Sequence, residues 1–238
     1  MIRNLKALGL ALVAVFAMSA VAASAASAQQ GHLTSDGNVT LDITEIAGEL
    51  NALTAFGAKT ECPGTTLTGH KYNVTPHTFI PSGETTATVT PDYNATNCHA
   101  TEGATVHKAT VTQNGCDYVF HIGSTVAADQ YSLTVDIECT SGPIVVDVYA
   151  FANSELGGVQ CEVKTGTQTG LTGPTLTDET NGHLKINGTF TGIHVERHSP
   201  TGAAACPDAT VTNGEFHINA TITGTNEAGT STEVSISE

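Results

Sequence analysis

The stretch CDYVFHIGSTVAADQYSLTVDIEC, residues 116–139, decides the fold. Cys116, Tyr118, Phe120 and Ile122 lie on one side of a period-2 strand, and Leu133, Val135, Ile137 and Cys139 do the same on the next. Folding the segments antiparallel about a loop at 123–130 makes the residue numbers of every opposed pair sum to 255. Ile122 then faces Leu133, Phe120 faces Val135, Tyr118 faces Ile137 and Cys116 faces Cys139. Directly opposed Cα atoms are roughly 4.5–5.5 Å apart, within the roughly 4.4–6.8 Å that a disulfide spans. One register serves the apolar face and the sulfurs together, and a one-residue slip removes both. This hairpin is the expected centre of the core.

Working outward, Val39, Leu41 and Ile43 alternate upstream, followed by residues 45–53, the one place after the N-terminal segment where a helical turn fits. Thr/Val-rich segments follow at 65–74, 84–90 and 105–112, separated by turn clusters, with Asn114-Gly115 suited to a tight hairpin turn. Downstream of the hairpin, 144–150 is almost continuously apolar, and 153–158 reads as a turn-rich break between two halves. Residues 166–181 read as a long Thr/Gly-rich connection with room for one strand. The stretch 183–195 places Leu184, Ile186 and Phe190 on one face, with Gly188 and Gly192 permitting bulges or close approach. Phe216, Ile218, Ala220 and Ile222 repeat the alternation, and Val234 and Ile236 close the chain. Ala109-Thr-Val-Thr-Gln-Asn-Gly115 is echoed by Ala209-Thr-Val-Thr-Asn-Gly214, and duplication of a β unit is one explanation.

Residues 1–28 read as a secretory signal peptide: Arg3 and Lys6, an apolar run from Ala7 to Ala20, and Ala26-Ser27-Ala28 ahead of cleavage at Gln29. Removing Arg3 and Lys6 takes the 8 basic residues to 6 against 23 acidic ones, a mature net charge of −17. Such a chain is a poor partner for nucleic acid or an anionic membrane. No second apolar run predicts a membrane span in the mature chain.

All six cysteines, at 62, 98, 116, 139, 161 and 206, lie in the mature part, and an even number in an exported chain reads as three disulfides. With Cys116–Cys139 paired, the half-by-half choice is Cys62–Cys98 and Cys161–Cys206. Short strands, frequent turns and almost no helix predict an all-β, antiparallel, Greek-key-like sandwich stapled by these bridges. Its two related β halves are expected at 29–155 and 156–238. An open sandwich has edge strands, so self-association through them is an expected partner mode.

The chain resembles uncharacterised secreted six-cysteine β-rich proteins of high-GC Gram-positive bacteria. The likeness is carried by the Ala-Ser-Ala signal end, Asn114-Gly-Cys-Asp-Tyr118, Asp136-Ile-Glu-Cys-Thr140 with Pro143-Ile-Val, and the second-half Cys161 and Cys206. It implies export and a six-cysteine β architecture, and it brings no activity with it.

Two constellations are candidate metal sites. Asp117 lies opposite Glu138 with Asp136 next along, an all-oxygen group suited to calcium. His194, Glu196 and His198 share one strand face, a zinc-like set, although the roughly 6.8 Å spacing is wide for one ion. The alternatives are a hydrated acidic surface and a solvated strand end. No cofactor is otherwise expected. No nucleophile elbow, phosphate loop or free cysteine is present, and the absence of Trp leaves little to stack on sugar rings. The expectation is therefore a secreted, non-enzymatic protein with a structural or interaction role toward an envelope or matrix component. An extracellular metal- or small-ligand-binding protein is the alternative, and a secreted hydrolase a weaker one.

Overall fold

The structure, a computed structural model, describes residues 29–48, 51–71, 78–93, 97–202 and 206–238. The signal segment and its cleavage point fall outside them. The described chain is all-β, and its strands pair antiparallel throughout. The hairpin quoted above forms as read. β9 (Cys116–Ala127) meets β10 (Gln130–Cys139) with Ile122 opposite Leu133, Phe120 opposite Val135, Tyr118 opposite Ile137 and Cys116 opposite Cys139. The connecting loop is shorter than expected. The strands run on through register shifts near Tyr131 to a turn at Ala128-Asp129, where Asp129 takes φ 57°.

The pairing order shows how the rest is arranged. Two strands are long and unbroken: β14 (His183–His198) and β15 (Ala209–Asn226), which pair with each other. The other six long strands are each interrupted once. Their parts are β2 (Val39–Glu45) with β3 (Ala52–Ala55), β4 (Ala58–Glu61) with β5 (Thr66–Lys71), and β6 (Thr86–Asp92) with β7 (His99–Glu102). Then come β8 (Thr105–Thr112) with β9, β10 with β11 (Ile144–Phe151), and β12 (Ser154–Thr165) with β13 (Gln168–Glu179). One set of parts pairs in the order β2-β5-β6-β9-β10-β13-β14-β15 and closes from β15 onto β2. The other set pairs as β3-β4-β7-β8-β11-β12-β14-β15 and closes from β15 onto β3. Eight staves thus form two stacked rings, joined at a waist where most staves break, with β14 and β15 running through both.

The connectivity is a meander in which each stave pairs with its sequence neighbours, rather than the Greek key expected. Closure also satisfies the backbone groups that an open sandwich would leave at its edges. Among the described residues, the long edge strands invoked for self-association are therefore paired within the chain. The expected boundary near 155 is crossed by ladders between β11 and β12, β10 and β13, and β15 and β2. Residues 166–181, read as a connection, are mostly β13. Their inward residues Leu171 and Leu176 are separated by a bulge at Gly173-Pro174, which breaks the alternation. Among its described residues, the helix-permissive 45–53 is the end of β2, a turn and the start of β3. Asn114 and Gly115 do take positive φ, but they kink β8 into β9 instead of turning a hairpin.

The apolar faces point inward. Ile43, Leu133, Leu184, Ile186, Ile218 and Ile222 are all fully buried in one cluster. The outer wall carries Thr40, Asp42, Thr68, Thr134, Lys185 and Thr223 at the alternate positions. No described helix is long and apolar enough to cross a membrane. The two-residue β16 (Ser231–Thr232) pairs with the end of β15, and a small sheet of β1 (His32–Ser35) and β17 (Val234–Ser237) closes the upper ring, burying Leu33, Val234 and Ile236. Gly188 permits the close approach expected of it: with φ 139°, an added Cβ would lie 2.7 Å from Pro174 Cα.

The disulfides pair as expected: Cys116–Cys139, Cys62–Cys98 and Cys161–Cys206. The first two tie neighbouring staves at the waist, and Cys116 and Cys139 have Cα atoms 3.9 Å apart. Replacing both Cys116 and Cys139 by Ala is expected to lower unfolding stability by about 2–4 kcal/mol through the freed unfolded chain. The urea midpoint measures this, and an unchanged midpoint would remove the bridge from the account.

Candidate functional site

Eight staves leave an interior just wide enough to be filled by side chains or to hold one small ligand. Here the filling is uneven. The upper ring is packed almost solid, with a residual space of about 20 Å³ between Leu33, Ile80, Leu133 and Ile222. At the waist a chamber of about 80 Å³ opens, and every stave contributes to its wall. Leu53, Phe120, Val135, Val146, Leu171 and Ile193 supply much of its apolar surface. A wider chamber of about 290 Å³ fills the lower ring and shares Leu53 and Thr60 with the first as wall.

A few polar groups face this apolar space. Asn51 is 6% exposed and lines the waist chamber. Its Oδ1 accepts the N–H of Asn219, and its own N–H donates to Glu45 Oε1 at 2.9 Å. Glu45 Oε2 accepts from Gly64, so one carboxylate fixes both flanks of the waist. The Nδ2 of Asn51 has no partner among the described residues. Tyr93 and Tyr118 also line the chamber and hydrogen-bond to each other through their hydroxyls. Burial raises both phenols above their ordinary range; Tyr118 pushes Tyr93 higher still, while the hydrogen bond to Tyr93 partly offsets the rise at Tyr118. Both are therefore neutral hydroxyls at ordinary pH. Thr65 and Thr165 spend their hydroxyl protons on the carbonyls of Cys62 and His194.

The lower chamber ends in a polar rim of Glu102, His107, Gln160 and Arg197. Arg197 lies 4.5 Å above the Phe56 ring and donates to the carbonyl of Pro207. Cys161–Cys206 ties the loop after β14 to β12 beside this rim. Val106, Phe151 and Leu156, on the turns of the same end, are exposed.

The sequence-predicted metal candidates lie on the outer wall, away from both chambers. Asp117 does face Glu138, but it accepts from Thr90 Oγ1 at 2.8 Å. Asp136 pairs with His121 at 3.0 Å and accepts the Gly170 N–H at 2.6 Å. Those partners engage two of the three carboxylates. His194, Glu196 and His198 are exposed along β14, and His198 pairs with Asp208 at 2.9 Å. The Ser199 N–H, helped by His198, holds the Asp208 carboxyl below the usual range. Among the described residues no three His, Cys, Asp or Glu side chains converge as a metal site.

Sequence reasoning placed Tyr118 on the inner face and missed Asn51 and Tyr93. Both follow from parity: Asn51 continues the inward series of Leu53 and Ala55, and Tyr93 that of Ala87, Val89 and Pro91. Comparisons with protein families, with curated proteins and with solved structures find no match. The interior geometry therefore carries the functional argument alone.

One outer-wall pair has a measurable signature. Asp147 on β11 stands opposite Glu162, which also bonds Lys164 at 2.6 Å. Burial, then Glu162, raises the Asp147 carboxyl, and Lys164 offsets part of the rise. A carboxyl with a raised folded pKa favours the fold below its unfolded pKa and loses that advantage as pH rises through the folded value. Asp147→Asn is expected to raise the melting temperature near about pH 7 and to leave it nearly unchanged near about pH 3. The gain stays below about 1 kcal/mol because the group is partly exposed. A loss of stability at neutral pH would reverse the assignment.

Proposed function

We propose that this protein is an exported, non-enzymatic binding protein for small apolar molecules, which it holds inside the closed ring. The observation that carries the reading is the hollow waist: an apolar chamber beneath a packed upper ring, sharing wall residues with a larger chamber below. Binding sites for small molecules are concave and mostly apolar with a few placed polar groups, and Asn51, Tyr93 and Tyr118 match that description. The plugged upper end and the rimmed lower end support one direction of access. Three disulfides and the N-terminal signal pattern support export. The Thr-rich, charged outer wall supports a water-facing exterior, since a lipid-spanning barrel needs an outward apolar band.

Exposed Phe151 and Leu156 at the open end favour a second role, contact with an envelope or matrix partner to which the molecule is carried. Both readings assign the outer acids and histidines to solvation.

The neutral fluorophore N-phenyl-1-naphthylamine tests the binding reading with the mature chain. Its emission is expected to rise saturably at one site per chain. Val146→Trp, which fills the waist, and Val163→Trp, which fills the lower chamber, are each expected to weaken binding at least about tenfold, the cost of losing roughly 1.4 kcal/mol of contact. Thr134→Trp on the outer wall is expected to bind as the parent does, and melting curves check that all three fold. No saturable rise, or equal binding by the filled variants, would overturn the proposal.

A further inference from the structure

The waist chamber is not only apolar; its hydrogen-bonding capacity is one-sided. Asn51 is locked by two bonds. Its backbone N–H is taken by Glu45, and its Oδ1 is taken by the N–H of Asn219 at 3.0 Å. The second bond fixes which way the amide lies, because turning it over would set two donors against each other. That leaves the Nδ2 hydrogens without an acceptor among the described residues, in a residue 6% exposed. A buried donor without a partner is destabilising, because it has given up water without a replacement acceptor. Among the described residues the other unpartnered buried polar atom is Asn219 Oδ1, on a residue that does not line the chamber, and Asn51 Nδ2 makes no hydrogen bond to it.

The tyrosine pair adds a second donor. In a hydroxyl–hydroxyl bond one proton is shared and the other is free to be given elsewhere, and Tyr93 and Tyr118 have only each other as side-chain partners. The two buried threonines of the wall have already committed their protons to carbonyls. Among the described residues no Asp, Glu, Lys, Arg or His lines this chamber. An anionic ligand group there would lose its water without gaining a counter-charge.

We infer that the waist chamber selects a small apolar molecule bearing one neutral hydrogen-bond acceptor, such as a ketone, ester or ether oxygen, and that Asn51 Nδ2 donates to it. This rests on the apolar-binding reading and narrows it to a ligand class. Asn51 is a specificity residue: it ranks an acceptor-bearing molecule above a plain hydrocarbon of the same shape, because hydrocarbon leaves the donor unmet.

Two probes of nearly the same shape separate the claims. Cyclohexanone carries a carbonyl where methylenecyclohexane carries a CH2 group. The uniformly 15N-labelled and methyl-13C-labelled mature protein is titrated with each, following the Asn51 side-chain amide and the Val135 and Ile137 methyls. The Asn51 signals are assigned by their loss in Asn51→Ala. Both probes are expected to move the methyls, and cyclohexanone alone to move the Asn51 amide protons downfield. Asn51→Ala is expected to weaken cyclohexanone about 2- to 12-fold, the range of one neutral hydrogen bond, and methylenecyclohexane less than about twofold. If the methyls respond to both probes while the Asn51 amide stays still, the acceptor claim fails and apolar binding stands. If the methyls respond to neither, both fail. Should Asn51→Ala not fold, Asn51→Leu, which keeps the side-chain volume and carries no donor, supplies the assignment and the comparison.

Discussion

The ladder between β14 and β15 is the constraint on which the structure depends. It is the longest pairing in the molecule, running from Leu184 opposite Ile222 to Arg197 opposite Ala209. Its outer edges are shared: β14 gives one part of its edge to β13 and another to β12, while β15 gives its edge to β2 and β3. Each ring therefore closes only because this hairpin is long enough to serve both. Closure turns the separate segments β2 to β15 into walls with few open edges, and it defines an inside.

An inside of eight staves must be filled, and the sequence fills it unequally. Large branched side chains crowd the upper ring, where Ile43, Leu133, Leu184 and Ile222 meet Leu33 and Ile80 from the plug. Lower down, Ala55, Ala58, Ala100 and Ala150 stand at wall positions where larger side chains would fill the ring. The space is a consequence of those small side chains. Packed interiors resist voids at a cost of contact energy in the surrounding atoms. A void lined by locked polar groups is the arrangement expected where a ligand completes the packing.

Much of the wall was legible in the sequence and little of the hollow was. The register of the central hairpin could be read because apolar parity and two cysteines agreed on it. The other two bridges were one of three pairings left open, chosen to respect a division near residue 155, and they form although ladders cross that division. β13 was legible only as room for one strand, without extent or register, because Gly173-Pro174 shifts the parity between Leu171 and Leu176 and its outward residues are Thr. Ring closure depends on β15 meeting β2 and β3, partners more than a hundred residues away, and local alternation carries no trace of such pairing. The acidic and histidine clusters drew notice because ionisable residues stand out in a chain so poor in them. They lie on the outer face, where Thr90, His121 and Asp208 engage them. Asn51, the residue with chemistry left to offer, sits in a stretch whose composition suited a helical turn, so its facing was hidden.

The central claim, a closed barrel with an apolar hollow at its waist, is tested most directly by diffraction from crystals of the mature protein under xenon pressure. Xenon enters dry apolar cavities and scatters strongly enough to be located without further labelling. The account predicts a xenon peak enclosed by Leu53, Phe120, Val135, Leu171 and Ile193 within a ring closed by β14 and β15. A ring that closes but carries no xenon there would contradict the hollow, and an open sheet with β15 unpaired from β2 would contradict the fold on which it rests.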